Sequence, residues 1–92
     1  SVRKADRFVI SPVDSICVRS RKAGDKITLS GGTKSLKALF VDRKIPQGER
    51  NYIPVLASGD QVLGVWGIGG NFRHMTEELP GIEIRFEKIE RT

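Results

Sequence analysis

The apolar residues of this chain come in short runs, and nearly every run ends at a glycine or a proline. Pro12, Gly24, Gly31-Gly32, Pro46, Pro54, Gly59, the glycines at 67, 69 and 70, and Pro80-Gly81 each interrupt a stretch that would otherwise continue. Proline lacks a backbone donor and fixes φ, and glycine loses the most entropy on ordering, so neither suits the interior of a long helix or strand. The chain is therefore restricted to short elements joined by tight turns. Its 92 residues leave room for one core, and a 38% hydrophobic content suffices to build it. The expectation is a single domain over residues 1–92.

Within those limits the periodicity assigns the elements. Arg7 to Ser11 reads as a strand, and beyond Pro12 a second runs from Val13 to Arg19, with Ile16 and Val18 alternating with Ser15 and Cys17. Ala23-Gly24-Asp25 is turn chemistry, followed by the extended run Lys26 to Leu29. From Thr33 the period changes: Leu36, Leu39 and Phe40 stand at the i, i+3, i+4 spacing of a helix face, with Thr33 as the candidate N-cap. On that helix Lys34, Lys37 and Lys44 would share an exposed ridge opposite the apolar face. Pro46 suits the first position of a second short helix reaching about Tyr52, which Pro54 must end. Val55 to Trp66 has the form of a hairpin turning at Ser58-Gly59-Asp60, followed by a flexible glycine exit at residues 67–70. Ile82, Ile84 and Phe86 alternate with Glu83, Arg85 and Glu87, the pattern of a half-buried strand. The fold class expected is α+β: short, mostly antiparallel strands with two short helices inserted mid-chain.

The charge is unevenly distributed. Lys and Arg number 16 and Asp and Glu 11, a formal net charge of +5. Residues 1–50 hold twelve basic and five acidic side chains and the remainder four and six. Between Arg19 and Arg50 nine cations face three carboxylates, Asp25, Asp42 and Glu49. A polyanionic partner follows, unless the run is merely a solvated face. No apolar stretch approaches the ~20 residues of a membrane span, and the N-terminal residues carry no apolar block of a signal peptide. One cysteine, Cys17, forms no internal disulfide, and with one histidine, His74, leaves too few ligands for a structural zinc. A cytoplasmic protein without membrane association is expected.

Several motifs suggest chemistry that their details do not support. Ser30-Gly31-Gly32-Thr33-Lys34-Ser35 is glycine-rich and precedes the helical pattern, yet a Walker loop needs Gly-Lys-Ser/Thr, and the Ser-Gly-Gly-x-Asp-Ser loop of ATP pyrophosphatases needs aspartate where Lys34 stands. It reads as a connecting loop, with room at most for one phosphate contact at the helix start. In Gly67-Ile-Gly69-Gly70-Asn-Phe72 the third glycine of a dinucleotide fingerprint is replaced by Phe72. His74 has no neighbouring aspartate or nucleophile, and Cys17 lies in a strand pattern, where a small buried thiol is the usual state. Tyr52 and Trp66 could stack on bases, although isolated aromatics at such places more often pack at a core or its rim. No catalytic residues are assigned.

Three stretches taken together resemble a known family. Arg19-Ser-Arg21-Lys22-Ala-Gly24-Asp25, then Gly32-x-Lys34-Ser-Leu36-Lys37-x-Leu39-Phe40-Val-Asp42-Arg43-Lys44-Ile45-Pro46, then Arg50-x-x-Ile53-Pro54-Val55-Leu56 look like the C-terminal domain of bacterial tRNA(Ile)-lysidine synthetase. The likeness covers about residues 19–68, and after Ile68 the chain departs from the family pattern. The resemblance implies a fragment of a longer ligase that uses ATP and Mg2+ to adenylate the wobble cytidine of a CAU anticodon and attach lysine. An N-terminal ATP-pyrophosphatase domain would carry the catalysis and the cofactors, and none would bind here. The C-terminal domain would contact the acceptor stem of tRNA(Ile). Phosphates, 2′-hydroxyls and shape are what an A-form stem offers to side chains. The RNA-binding candidates are therefore Arg19, Arg21, Lys22, Lys26, Lys34, Lys37, Arg43, Lys44 and Arg50, with Asp25 and Asp42 as structural partners of nearby cations. Two other readings compete: a free-standing protein-interaction domain whose basic face meets an acidic partner, and a small hydrolase or transferase, which would need a cluster around His74 or Cys17.

Overall fold

A computed structural model of the chain describes residues 6–87. The N-terminal stretch that lacks an apolar block lies mostly outside these residues. Eight strands and two short helices follow in the order β1 (Arg7–Ile10), β2 (Cys17–Arg19), β3 (Lys26–Leu29), β4 (Gly32–Ser35), α1 (Leu36–Asp42), a 3-10 helix (Gln47–Tyr52), β5 (Val55–Ser58), β6 (Gln61–Val65), β7 (Gly69–Gly70) and β8 (Ile82–Arg85). Every strand pairing is antiparallel. The expected α+β class is what the chain adopts.

The central sheet has the order β2-β5-β6-β7, and two separate ribbons, β1-β8 and β3-β4, complete the strands. The β5-β6 hairpin is buried on both faces, which explains why its sequence is nearly continuous in apolar residues rather than alternating. Val55, Val62 and Val65 pack with Ile27, Leu36, Leu39 and Phe40 on one side. Leu56 and Leu63 pack with Phe8 and Ile10 on the other. A register shift between Leu56 and Ala57 leaves Leu63 without a paired residue on β5. Both Leu63 and Gly64 then meet the Phe8 side, as a β-bulge permits. The ring of Phe8 lies on the paired glycines Gly64 and Gly70, where an added Cβ would come within 2.2 and 2.7 Å of it. Residues 69–70, expected as a flexible exit, are thus a buried strand whose glycines admit an aromatic ring.

Two other expectations change, and one contact is new. The helix begins at Leu36, not after Thr33: Gly32 to Ser35 pair with β3, Ser30-Gly31 is the turn between the two strands, and Ser35 is the N-cap. Backbone pairing with Lys26–Leu29 claims residues 32–35 before the helix can. The strand expected over residues 13–19 shortens to Cys17–Arg19 at the sheet edge, and Cys17 is exposed there rather than buried. The loop after β7 is fastened by Asn71, buried, whose Oδ1 accepts from the Thr28 and Arg73 amides (3.2 and 3.1 Å) and whose Nδ2 donates to Val62 O (2.8 Å). A buried amide with its polar atoms satisfied joins β3 to β6 where no sequence pattern was visible.

Candidate nucleic-acid interface

The basic segment is organised by one internal ion pair. From the end of β2, Arg19 reaches across the turn so that Nη1 and Nη2 donate to the two oxygens of Asp25 at 2.7 and 3.0 Å. The two side chains are only 13% and 5% exposed. The Lys22 amide donates to the same carboxylate at 2.7 Å, and Gly24 takes φ +88° to close the turn, a value its missing Cβ allows. Burial alone pushes the Asp25 carboxyl up, but the hydrogen bonds from Arg19 and Lys22 outweigh it and hold the group below the ordinary aspartate range. The hydrogen bond to Asp25 likewise raises the Arg19 guanidinium against the cost of desolvation. The Leu36 amide donates to Asp25 O at 2.9 Å, and Ser20 Oγ donates to Asn51 O at 2.8 Å, tying the turn to α1 and to the 3-10 helix.

This frame leaves a groove of about 450 Å3 lined by Arg21, Lys22, Gly24, Asp25, Ser35, Lys37 and Asn51. Arg21 lies over the Phe40 ring with its guanidinium carbon 5.7 Å from the centroid, a cation–π contact that holds its stem against the core. Its Nε has no acceptor. Lys22 and Lys37 are exposed at the groove. The one carboxylate in the lining, Asp25, is already neutralised by Arg19. What the groove offers is a concave cluster of three cations, from the β2-β3 loop and α1.

The remaining candidates are dispersed. Arg19 is committed to Asp25, and Arg50 is half-buried with Nε donating to Ile45 O at 2.9 Å, so both serve the fold. Lys34 lies on β4, not on a helix, and pairs with Asp42; the two border a second groove with Arg43. Lys44 follows α1 with φ +57°. The ridge expected from Lys34, Lys37 and Lys44 therefore does not form, because only Lys37 is helical. Lys26 lines a separate polar cavity of about 230 Å3 with Thr28, Thr33, Asp60, Asn71 and Arg73. Ser35 and Asn51 line the first groove and Arg73 the polar cavity, outside the set of cations expected from the sequence. Arg73 was detectable as an isolated cation in the neutral and acidic half, whereas nothing in the sequence marks Ser35 or Asn51.

Two of the three first-turn amides of α1 are already engaged. Ser35 Oγ accepts from the Ala38 amide at 3.1 Å, and the Leu36 amide is taken by Asp25. The glycines at 31 and 32 serve a hairpin, so the residues present do not form an ATP loop. Among the described residues no three His, Cys, Asp or Glu side chains gather as metal ligands, and no helix is long and apolar enough to cross a membrane. His74 makes backbone contacts to Ser11 and Asn71.

A family model described as the TilS substrate C-terminal domain matches residues 16–86. The chain belongs to this family. The match runs through the segment after Ile68, which by sequence alone lay outside the resemblance. The tRNA(Ile)-lysidine synthase of Clostridioides difficile (strain 630) is 37% identical over 76 residues, 80% of this chain and 16% of that protein. That of Caldanaerobacter subterraneus subsp. tengcongensis is 48% identical over 56 residues, 59% of this chain and 12% of that protein. The chain thus spans about a sixth or less of the length of these curated relatives. The fold is also that of a solved structure, the crystal structure of TILS C-terminal domain, with a TM-score of 0.72, 28% identity, and coverage of 94% of this chain and 75% of that one.

Proposed function

We propose that this TilS C-terminal domain holds the acceptor stem of tRNA(Ile) for a cytoplasmic tRNA(Ile)-lysidine synthase whose catalytic domain lies elsewhere in the same polypeptide. The observation that carries the reading is the groove of Arg21, Lys22 and Lys37, three cations on a rigid frame with the adjoining carboxylate internally paired. An A-form helix presents phosphates and 2′-hydroxyls rather than readable base edges in its deep groove, and Arg and Lys answer that chemistry. Arg21 is preorganised by Phe40, so little of its freedom is lost when it meets a phosphate. Adenylation and lysine transfer belong, on this reading, to the catalytic domain with its ATP and Mg2+. The residues here bind and orient.

A gel shift of the domain with intact tRNA(Ile) and with the same tRNA lacking its acceptor stem tests this. Retention of intact tRNA alone is the expected result, with log affinity falling against log salt by about 0.7 to 0.9 per neutralised phosphate. Equal binding of both RNAs, or a flat salt response, would overturn it.

A further inference from the structure

A cavity of different character lies one residue along the 3-10 helix from the cationic groove. About 280 Å3 in volume, it is lined by Tyr52, Pro54, Trp66, Phe86 and Glu87. Consecutive residues of the 3-10 helix line the two, Asn51 the first and Tyr52 the second. Tyr52 is 84% exposed. Burying an aromatic ring is among the larger gains available to a small fold, so a ring left in water invites a reason. Its helix is not loose. Pro46 and Pro54 bracket it, the Glu49 amide donates to Pro46 O at 2.9 Å, and Ser20 holds Asn51 O from the neighbouring loop. On the far wall the Trp66 amide donates to Pro54 O at 3.1 Å, fixing that residue against the helix exit.

We propose that the Tyr52–Trp66 cavity is a stacking site for an unpaired nucleotide base, taken from the single-stranded end of an RNA helix whose phosphates occupy the adjacent Arg21–Lys22–Lys37 groove. This rests on the RNA reading above and names a part of the RNA that reading leaves unassigned. The chemistry of the walls selects a base over other occupants. A phosphate would meet the Glu87 carboxylate, whose Oε1 the exposed Arg85 side chain approaches at 3.4 Å without burying the charge, and would be repelled by it. A base has an apolar face for Tyr52, Pro54 and Trp66, and exocyclic amino groups that a carboxylate can accept from. Stacking on aromatic side chains beside a cationic track is how single strands are commonly held, and it tolerates any base because every base has a π-face.

The test uses a short RNA hairpin in two forms, one blunt at its open end and one continued there by a single-stranded tail. The tailed form should bind about tenfold tighter, the scale of one stacked base, and quench Trp66, the only tryptophan in the chain. Tyr52→Ala should abolish that advantage while leaving blunt-hairpin affinity unchanged, and Tyr52→Phe should keep it; an exposed side chain can be removed without unfolding the domain, which Trp66 emission of the free protein checks. Equal affinity of wild-type protein for both hairpins, or a tail preference that survives Tyr52→Ala, would overturn the proposal and leave the cavity to a protein partner. If neither hairpin binds, the RNA reading itself fails, and the stacking site with it.

Discussion

Asp25 is the residue on which the basic segment turns. Its carboxylate accepts from Arg19 and from the Lys22 amide while its backbone oxygen accepts from the first amide of α1, so one residue orders both walls of the cationic groove. Asp25→Asn would leave a nearly buried guanidinium without its counter-charge, and about 3 kcal/mol of stability should be lost, measurable by urea unfolding. Because the folded carboxyl titrates below its unfolded value, its contribution is complete above the unfolded pKa of about 4 and disappears only as pH falls through the lower folded value. Wild-type stability should therefore fall more steeply than that of Asp25→Asn below about pH 4, and parallel acid limbs would refute the assignment. The residue types of this pair were legible, since a Gly-Asp turn after a cationic strand suggests a structural aspartate. Which of three nearby cations it would take was not, because that depends on how β2 meets the turn in space.

Among the elements, α1 starts later than its periodicity predicts. Leu36, Leu39 and Phe40 form its buried face as the spacing requires, but the residues before them, which the pattern also suits to a helix, belong to β4. Thr33 and Ser35 are both acceptable N-caps by type, and the choice was made by the strand pairing of Gly32 to Ser35. Ser35→Ala should cost about 1 kcal/mol through the lost bond to Ala38, whereas Thr33→Ala removes only an exposed contact to Thr28 and should cost less by the same thermal-melt comparison. The β5-β6 hairpin and the 3-10 helix were legible because each is bounded by residues with a local mechanism: Gly59 at φ +58° in the turn, and Pro46 and Pro54 on either side. β7 was not, since a two-residue strand of glycines has no side-chain pattern and is specified by the ring of Phe8 lying on it.

At the scale of the whole molecule, the charge asymmetry resolves into a cationic groove and a set of internal pairs. Of the nine cations between Arg19 and Arg50, Arg19 pairs with Asp25 and Lys34 with Asp42, while Arg21, Lys22 and Lys37 converge. Lys22→Glu combined with Lys37→Glu should lower the salt slope of tRNA binding by roughly 1.4 to 1.8, two phosphate contacts' worth, with little change in stability because both side chains are exposed. Lys34→Glu should reduce binding less, since Lys34 is engaged with Asp42. Set against Lys37→Glu alone, which makes the same change of two charges, an equal loss from Lys34→Glu across a salt series would mean that the face binds by net charge rather than through the groove.

By itself the sequence determined the class of fold, the short elements, the apolar face of α1 and the family resemblance, because those follow from local turn chemistry, periodicity and residue order. Tertiary structure alone decided which cations are free, that Gly64 and Gly70 make room for Phe8, that Asn71 ties β3 to β6, and that residues from distant strands and loops line a cationic groove beside Asn51 and an aromatic cavity beside Tyr52. Each of these joins residues far apart in the chain, and a contact between distant residues is set by how sheets and helices pack, which no local pattern encodes.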